Sequence, residues 1–379
     1  MTKQTQTIQL SFPARSVGYS LRIGSGIITR ELTAYLKKRQ PTRTVLVTNR
    51  TIARLYGDLL REIQDAAADH NIHPVIIKLP DGEKYKSFRT YRRLLSRMLD
   101  LSLDRNSLVV AFGGGVIGDL TGFAAATYMR GIDCVQVPTT LLAMVDSSIG
   151  GKTAINAPQG KNMVGVFSQP VRVIIDVNFL STLPEREFRA GMAEVVKHAL
   201  IADSRYFGFL DKHRDDILRR SPDALIKVVA TSCRIKAHVV QEDEKEAGRR
   251  AVLNFGHTAG HAIEKMTKYR AYLHGEAVIA GMAIALMVSL QRRLIPRKTF
   301  TRIMSLFTAY RFTVPGSMLN VEGILRHVGA DKKKIGENLK FILLNKLGGV
   351  IILQNLPLIE LRKSIIALKE YYDRDSVHY

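Results

Sequence analysis

Apolar and polar positions change rhythm along this chain, and the changes mark its elements. Residues 17–23 alternate strictly, the pattern of a half-buried strand, and Gly24 and Gly26 close it. Helical spacing over 30–38 leads to the apolar run Val45-Leu46-Val47, a buried strand ending at Thr48 and Asn49. The alternation then repeats, with a helix over 53–68, a strand over 73–79, a helix over 86–101 and an apolar strand over 107–112. Further strands are predicted over 134–137 and 171–176. Strands alternating with helices predict a mostly parallel sheet with helices on its faces.

Beyond Asp176 the rhythm is helical to about Phe307, opened by Thr182 and Glu185 at capping-box spacing. Two domains are therefore expected: an α/β domain over 1–176 and a mainly helical domain over 177–379. Residues 341–353 predict a late hairpin around Gly348-Gly349, followed by an amphipathic helix to Tyr372. No internal repeat and no low-complexity linker is visible. The uncharged run 277–291 falls short of the ~20 residues that a spanning helix needs, so it reads as a buried helix.

Composition changes this picture little. A length of 379 residues suits two domains. Two cysteines, Cys134 and Cys233, argue against a disulfide framework and suit a reducing compartment. With no apolar signal segment at the N-terminus, a cytoplasmic location is expected. The net charge of +22 comes from scattered groups such as Lys37-Lys38-Arg39, Arg219-Arg220 and Arg292-Arg293. No basic stripe interleaved with aromatics appears and there is no Trp, so neither a nucleic-acid partner nor a membrane is expected. A basic field does suit a small anionic substrate.

The candidate chemistry begins after the 107–112 strand. Gly113, Gly114, Gly115 and Gly118, with Asp119, form a glycine turn that opens a helix. Such a turn brings backbone N–H groups close to an anion at the positive end of the helix dipole, so a pyrophosphate is the expected ligand. The plainer reading is a tight structural turn. The turn is not on the first strand of its unit, and Asp133 begins a strand instead of ending one, so the ribose must be read from elsewhere. Asn49, the segment 81–86, Thr139 and Thr140 all fall at the carboxyl ends of predicted strands, where such sheets bind ligands.

In the helical half, His257 and His261 share a face at four-residue spacing, and His274 opens the next apolar run. The trio reads either as a divalent-metal site or as polar core residues. Glu194 and Lys197 lie on one face of a predicted helix, with Glu187 two turns earlier.

Taken together, the motifs PDGEKYKS, GGGVIGDLTGF, YMRG, VPTTLLAMVDSSIGGKTAIN, GKNMVGVF, GMAEVVKHALI, LNFGHTAGHAIE, LHGEAV and GADKK span residues 80 to 333 and resemble the 3-dehydroquinate synthases. The resemblance implies a Rossmann-like NAD-binding domain followed by a helical metal-binding domain. It implies that Glu194, His257 and His274 ligate zinc or cobalt, while His261 serves the substrate. It further implies an NAD site built from three stretches. The first is Asn49 with Asp81, Gly82, Glu83, Lys84, Tyr85 and Lys86. The second is Gly114, Gly115, Val116, Ile117, Gly118 and Asp119 with Thr139, Thr140 and Asp146. The third is Lys152, Lys161, Phe179, Leu180, Ser181 and Thr182. Lys152, Asn162, Lys197, Lys236, Arg250, Asn254, His261 and one of Lys332 and Lys333 are implied to hold the substrate, with Glu187 beside them. In the family the arginine matching Arg130 reaches the partner's active site, which implies a homodimer.

The implied substrate is a seven-carbon keto-acid sugar phosphate, whose carboxylate and phosphate call for several Lys and Arg. The implied reaction is a lyase reaction in which NAD is reduced and then regenerated around loss of phosphate, ring opening and aldol closure. Alternatives are another sugar-phosphate cyclase or a metal-dependent polyol dehydrogenase. Arg250, Asn254, Asn162 and His261 favour the dehydroquinate reading over the first, and the Glu194 helix favours it over the second. His70, His73, His198, His213, His238, His327, His378 and both cysteines read as structural.

Overall fold

A computed structural model describes residues 5–12, 17–244, 246, 248–335 and 340–375. The chain forms two compact units, Met1–Leu183 with Pro222–Gln241, and Pro184–Ser221 with Glu242–Tyr379. This division differs from a single cut after Asp176. The helix Pro222–Glu242, α9 in chain order, returns to the first unit. Its Arg234 side chain donates to Gln6 at 3.0 Å, its Lys236 ammonium donates to the Asp146 carbonyl at 2.7 Å, and its Cys233 thiol points to the Met144 carbonyl at 3.4 Å. Local periodicity reports that a segment is helical; it does not report which core the helix covers.

The first unit runs β1 (Gln6–Phe12), β2 (Val17–Gly24), α1 (Ile28–Arg39), β3 (Thr44–Asn49), α2 (Arg50–Leu55), α3 (Gly57–Ala68), β4 (Val75–Leu79) and α4 (Phe88–Asp100). It continues with β5 (Leu108–Gly113), α5 (Gly115–Thr127), β6 (Asp133–Pro138), β7 (Lys152–Ala157), β8 (Gly160–Phe167) and β9 (Arg172–Asp176). Seven strands form one sheet in the order β1-β2-β9-β6-β5-β3-β4, parallel except for β1 against β2. Every residue of central β5 is buried, as expected of a continuous apolar run covered on both faces. On α4, Thr90, Leu94 and Met98 recur one helical turn apart and face inward, while Arg89, Arg92, Arg93 and Arg97 face solvent. Burying Leu94 and Met98 contributes about 1.5–3 kcal/mol each. Part of the net positive charge is thus the solvated face of a core helix.

Two local expectations fail for physical reasons, and one stretch with no assigned element acquires one. The helix expected over 53–68 breaks at Tyr56, whose backbone leaves the helical region (φ −124°, ψ 29°) before Gly57. The glycine-rich block after Thr140, for which the sequence predicted no element, forms a π-helical turn over Ala143–Ser147 and the antiparallel hairpin β7–β8. Finally, Thr182 does not cap a helix. Its hydroxyl pairs with Tyr56, and α6 begins after Pro184 with no side-chain cap.

The second unit contains α6 (Glu185–Ala202), α7 (Ser204–Lys212), α8 (Arg214–Leu218), α10 (His257–Met266), α11 (His274–Gln291), α12 (Arg297–Ala309) and α13 (Val321–Ile335). The hairpin β10 (Lys340–Lys346) and β11 (Gly349–Gln354) and the helix α14 (Leu358–Asp375) complete it. α11 is apolar all round and is long and apolar enough by composition to cross a membrane, but 78% of it is buried. It serves as the core helix of this unit. Gly275 lets α11 lie against α6, because a Cβ there would run into the Ala190 backbone.

Candidate active site and metal centre

Glu194 sits mid-way along α6, wholly buried. Neither carboxylate oxygen receives a hydrogen bond of ordinary geometry. Its partners are electrostatic: the buried Lys197 ammonium, one turn on, and the Nε2 atoms of His257 and His274, each 3.8 Å from Oε1. Both histidines are the first residue of their helices, α10 and α11. His257 owes that place to Gly256, whose φ of +80° favours glycine and starts the helix.

His257 Nδ1 lies 3.2 Å from the Phe255 carbonyl, so a proton on Nδ1 leaves Nε2 directed at Glu194. Burial, then the charges of Lys197, His274 and His261, hold its pKa well below the ordinary histidine value. A neutral imidazole beside a buried carboxylate is a donor set that suits a divalent cation.

The ligand atoms of Glu194, His257 and His274 all lie within 4.8 Å of one another. His261 is not in this group, although it shares a helix face with His257 and its ring is 5.4 Å away. It is exposed, and with Glu264 and His274 it forms a second cluster of the same span. The sequence reading gave Glu264 no role, although it falls seven residues after His257 and hence on the same face. Its carboxylate lies 3.4 Å from His274 Nδ1.

Other expected substrate residues in this unit are more spread out. Arg250 is buried and donates to the Glu244 carbonyl at 2.6 Å, and Asn254 donates to Glu246 at 3.0 Å. Glu187 lies on the exposed face of the first turn of α6, outside the Glu194 cluster. Partial desolvation raises its carboxyl pKa, with Arg186 opposing and Glu276 adding to the shift. The side chains of Lys332 and Lys333 lie outside the described residues.

In the first unit, β5 ends at Gly113 and α5 starts at Gly115 with no side-chain cap over its first turn. A Cβ on Gly114 would meet the Thr140 methyl at 3.0 Å, and one on Gly115 would meet Ser147 Oγ at 3.1 Å. The turn leaves its backbone open to an anion. Val116, Ile117 and Gly118 belong to the first turn of α5, where Ile117 is buried and Gly118 accepts from Gln136 at 3.1 Å. Lys86, nearly fully buried, pairs with Asp119 and with Asn162, and burial raises the Asp119 pKa against the pull of Lys86.

Asn49 and Asp81 lie at strand ends as expected, but their side chains already serve α2. Asn49 accepts from Ile52 N–H at 2.8 Å, and Asp81 accepts from Thr51 N–H at 3.1 Å. Gly82 has φ +105°, Glu83 accepts from Asn156 at 2.7 Å, and Lys84 lies over the Tyr85 ring. Thr139 N–H donates to Gly113, and Thr140 accepts from Ala143 at 3.2 Å. Phe179 and Leu180 are core residues, Phe179 packing on Phe112 and Tyr56, so any contact they make with a ligand runs through backbone. Ser181 and Thr182 are exposed. Lys236 pairs with Asp146, Lys152 is exposed and Lys161 is half-buried. Both cysteine thiols are pushed up to about 12 by burial, as expected of structural residues.

Family models match both halves of this arrangement: "3-dehydroquinate synthase N-terminal" over residues 76–190 and "3-dehydroquinate synthase C-terminal" over 191–334. A 3-dehydroquinate synthase of Nitrosospira multiformis is 44% identical over 359 residues, covering 93% of this chain and 96% of the relative. The chain belongs to the 3-dehydroquinate synthase family. A second such synthase, from Nitrosomonas europaea, is 46% identical over 87% of this chain and 88% of its own length.

Among solved structures, a 2-deoxy-scyllo-inosose synthase complexed with carbaglucose-6-phosphate, NAD+ and Co2+ is 26% identical, with a TM-score of 0.81, over 95% of this chain and 99% of that one. A 2-epi-5-epi-valiolone synthase from Streptomyces hygroscopicus, with NAD+ and Zn2+ bound, has a TM-score of 0.85 at 24% identity, covering 94% of this chain and 98% of that one. An iron-containing alcohol dehydrogenase shares the fold alone, at 14% identity and a TM-score of 0.64 over 93% of this chain and 97% of that one. The parallel α/β sheet and the mainly helical second unit agree with the fold read from the sequence.

Proposed function

We propose that the chain is a 3-dehydroquinate synthase, converting 3-deoxy-D-arabino-heptulosonate 7-phosphate to 3-dehydroquinate and phosphate with NAD and a divalent metal, zinc or cobalt, as cofactors. The observation that carries this reading is the buried Glu194 carboxylate, facing two imidazoles across a span sized for one ion, in a chain 44% identical to such a synthase along nearly its whole length. When bound, NAD supplies a reversible hydride acceptor, and the metal polarises substrate oxygens.

Glu194, His257 and His274 would hold the metal. The uncapped turn Gly114–Gly115 would receive the NAD pyrophosphate, and the other expected cofactor residues would act as their placements allow: Asn49 and Asp81 shape the strand ends, and Phe179 and Leu180 offer backbone. Lys152, Lys197, Lys236 and Arg250 would bind the phosphate and carboxylate of the substrate. Lys197 and Lys236 are each anchored by a carboxylate, so little side-chain freedom remains to be lost on binding. Asn162 and Asn254 would orient hydroxyls. His261, exposed beside the metal cluster, would carry a proton near the departing phosphate.

The same reading makes the enzyme a homodimer in which Arg130 serves the partner's site. Arg130 is exposed with φ 69°, and β8 presents Met163, Val164, Val166 and Phe167 to the surface with no strand beyond it among the described residues. Cytoplasmic location belongs to this reading as well.

The test is phosphate release from the heptulosonate phosphate by the purified protein, with absorbance at the NADH wavelength followed in the same cuvette. Phosphate released without net NADH, and stopped by a metal chelator, is the expected result. Net NADH would point to a dehydrogenase, and release indifferent to chelator would remove the metal from the account.

A further inference from the structure

His274 faces two carboxylates, one at each ring nitrogen. Nε2 lies 3.8 Å from Glu194 Oε1, and Nδ1 lies 3.4 Å from Glu264 Oε2. Glu264 is 3% exposed and sits on α10, seven residues after His257, so one helix supplies both His257 and the carboxylate that meets His274. An ionised carboxylate only accepts hydrogen bonds. Its presence at Nδ1 therefore places the ring proton there and leaves the Nε2 lone pair toward Glu194. His257 is arranged in the same sense, but with the neutral Phe255 carbonyl at 3.2 Å from its Nδ1.

We infer that Glu264 is the positioning residue of the metal centre: it fixes the tautomer and ring angle of His274 and raises the basicity of its Nε2. The inference rests on the metal assignment proposed above. His274 needs this help more than His257 does. Its side chain keeps 29% of its surface exposed against 12% for His257, so packing confines the ring less. A charged acceptor at Nδ1 supplies the missing restraint, since carboxylate–imidazole contacts of this kind orient metal-bound histidines and strengthen them as ligands. Glu264 is not itself counted among the ligands, because its oxygen meets the nitrogen of His274 that faces away from Glu194.

The full-length protein, stripped of metal and titrated with Co2+ against a competing chelator, tests this. Glu264→Ala is expected to weaken Co2+ binding about 10- to 100-fold. Glu264→Gln, whose amide oxygen still accepts from Nδ1–H, is expected to recover most of that loss and to restore the visible Co2+ spectrum of the unaltered protein. Co2+ affinity unchanged in Glu264→Ala would overturn the inference. So would equal weakening in the Ala and Gln variants, which is what loss of local packing or of a direct ligand predicts. A Glu194→Ala control separates the two levels: if it binds Co2+ as tightly as the unaltered protein, the metal assignment itself is wrong.

Discussion

Asp176, in the first unit, and Glu194, in the second, are both buried, at 2% and 0% exposure, yet their surroundings treat them in opposite ways. Asp176 ends β9 and accepts four backbone N–H groups, from Gly26, Ile27, Ile28 and Asn178, at 2.7–3.2 Å. Three of these open α1, so the carboxylate caps a helix and its charge lies at the favourable end of the dipole. Glu194 has no backbone donors; beside it stand the Lys197 ammonium and the Nε2 atoms of His257 and His274. A buried carboxylate saturated by backbone is a structural element. One that faces two imidazoles beside its lysine is placed to share a divalent cation with them. Burial alone does not separate the two cases, but the identity of the neighbouring atoms does.

The comparison breaks most visibly at Glu194. Glu194→Gln is expected to lower turnover about 1,000-fold or more, since polarisation by a metal is worth several kcal/mol. It should also abolish the rise in Tm that added metal gives the unaltered protein, a rise of about 2.7 kcal/mol in stability at a metal concentration of 100 Kd. Phosphate release checks the first and calorimetry with and without metal the second, and a metal-dependent Tm surviving in Glu194→Gln would erase the contrast. Asp176→Ala should do the reverse. Four N–H groups lose their acceptor at about 1–3 kcal/mol for each one left unsatisfied, so the first unit loses at least about 3 kcal/mol while Co2+ uptake is unchanged.

The smallest effect sharpens the structural side. Burial raises the Glu31 carboxyl, but hydrogen bonds and charge from Arg22 and Arg30 outweigh it and hold the pKa below the ordinary value of 4.5. A folded pKa below the unfolded one contributes stability above the unfolded value and loses it as pH falls through the folded value. Arg22→Leu should therefore flatten the fall in Tm between about pH 5 and pH 3, with no change in metal uptake.

How much of this was legible in the sequence depends on whether the deciding contact is local. The strands with continuous apolar runs and the helices with clear faces, such as Leu108–Gly113 and Phe88–Asp100, lie where their periodicity put them. The β7–β8 hairpin was missed because β8 turns Met163, Val164, Val166 and Phe167 outward, so no buried alternation marks it. The expected capping by Thr182 was overridden by Tyr56, more than a hundred residues away. At the site, four-residue spacing put His257 and His261 on one face, but the group that contains His257 takes Glu194 from α6 and His274 from α11 and leaves His261 to a second group with Glu264. Helical periodicity reports neighbours on one helix and is silent about which other helix arrives. Glu264 was readable as a third member of that face, but its contact with His274 depends on the loop after Met266.

The most direct test of the account is the metal content of two purified variants, measured by mass spectrometry beside the unaltered protein. His257→Ala is expected to lose bound metal, while His261→Ala keeps about one ion per chain and loses turnover about 100-fold or more, as removal of a proton carrier predicts. Equal loss of metal in both variants, or full retention in His257→Ala, would contradict a centre built from Glu194, His257 and His274.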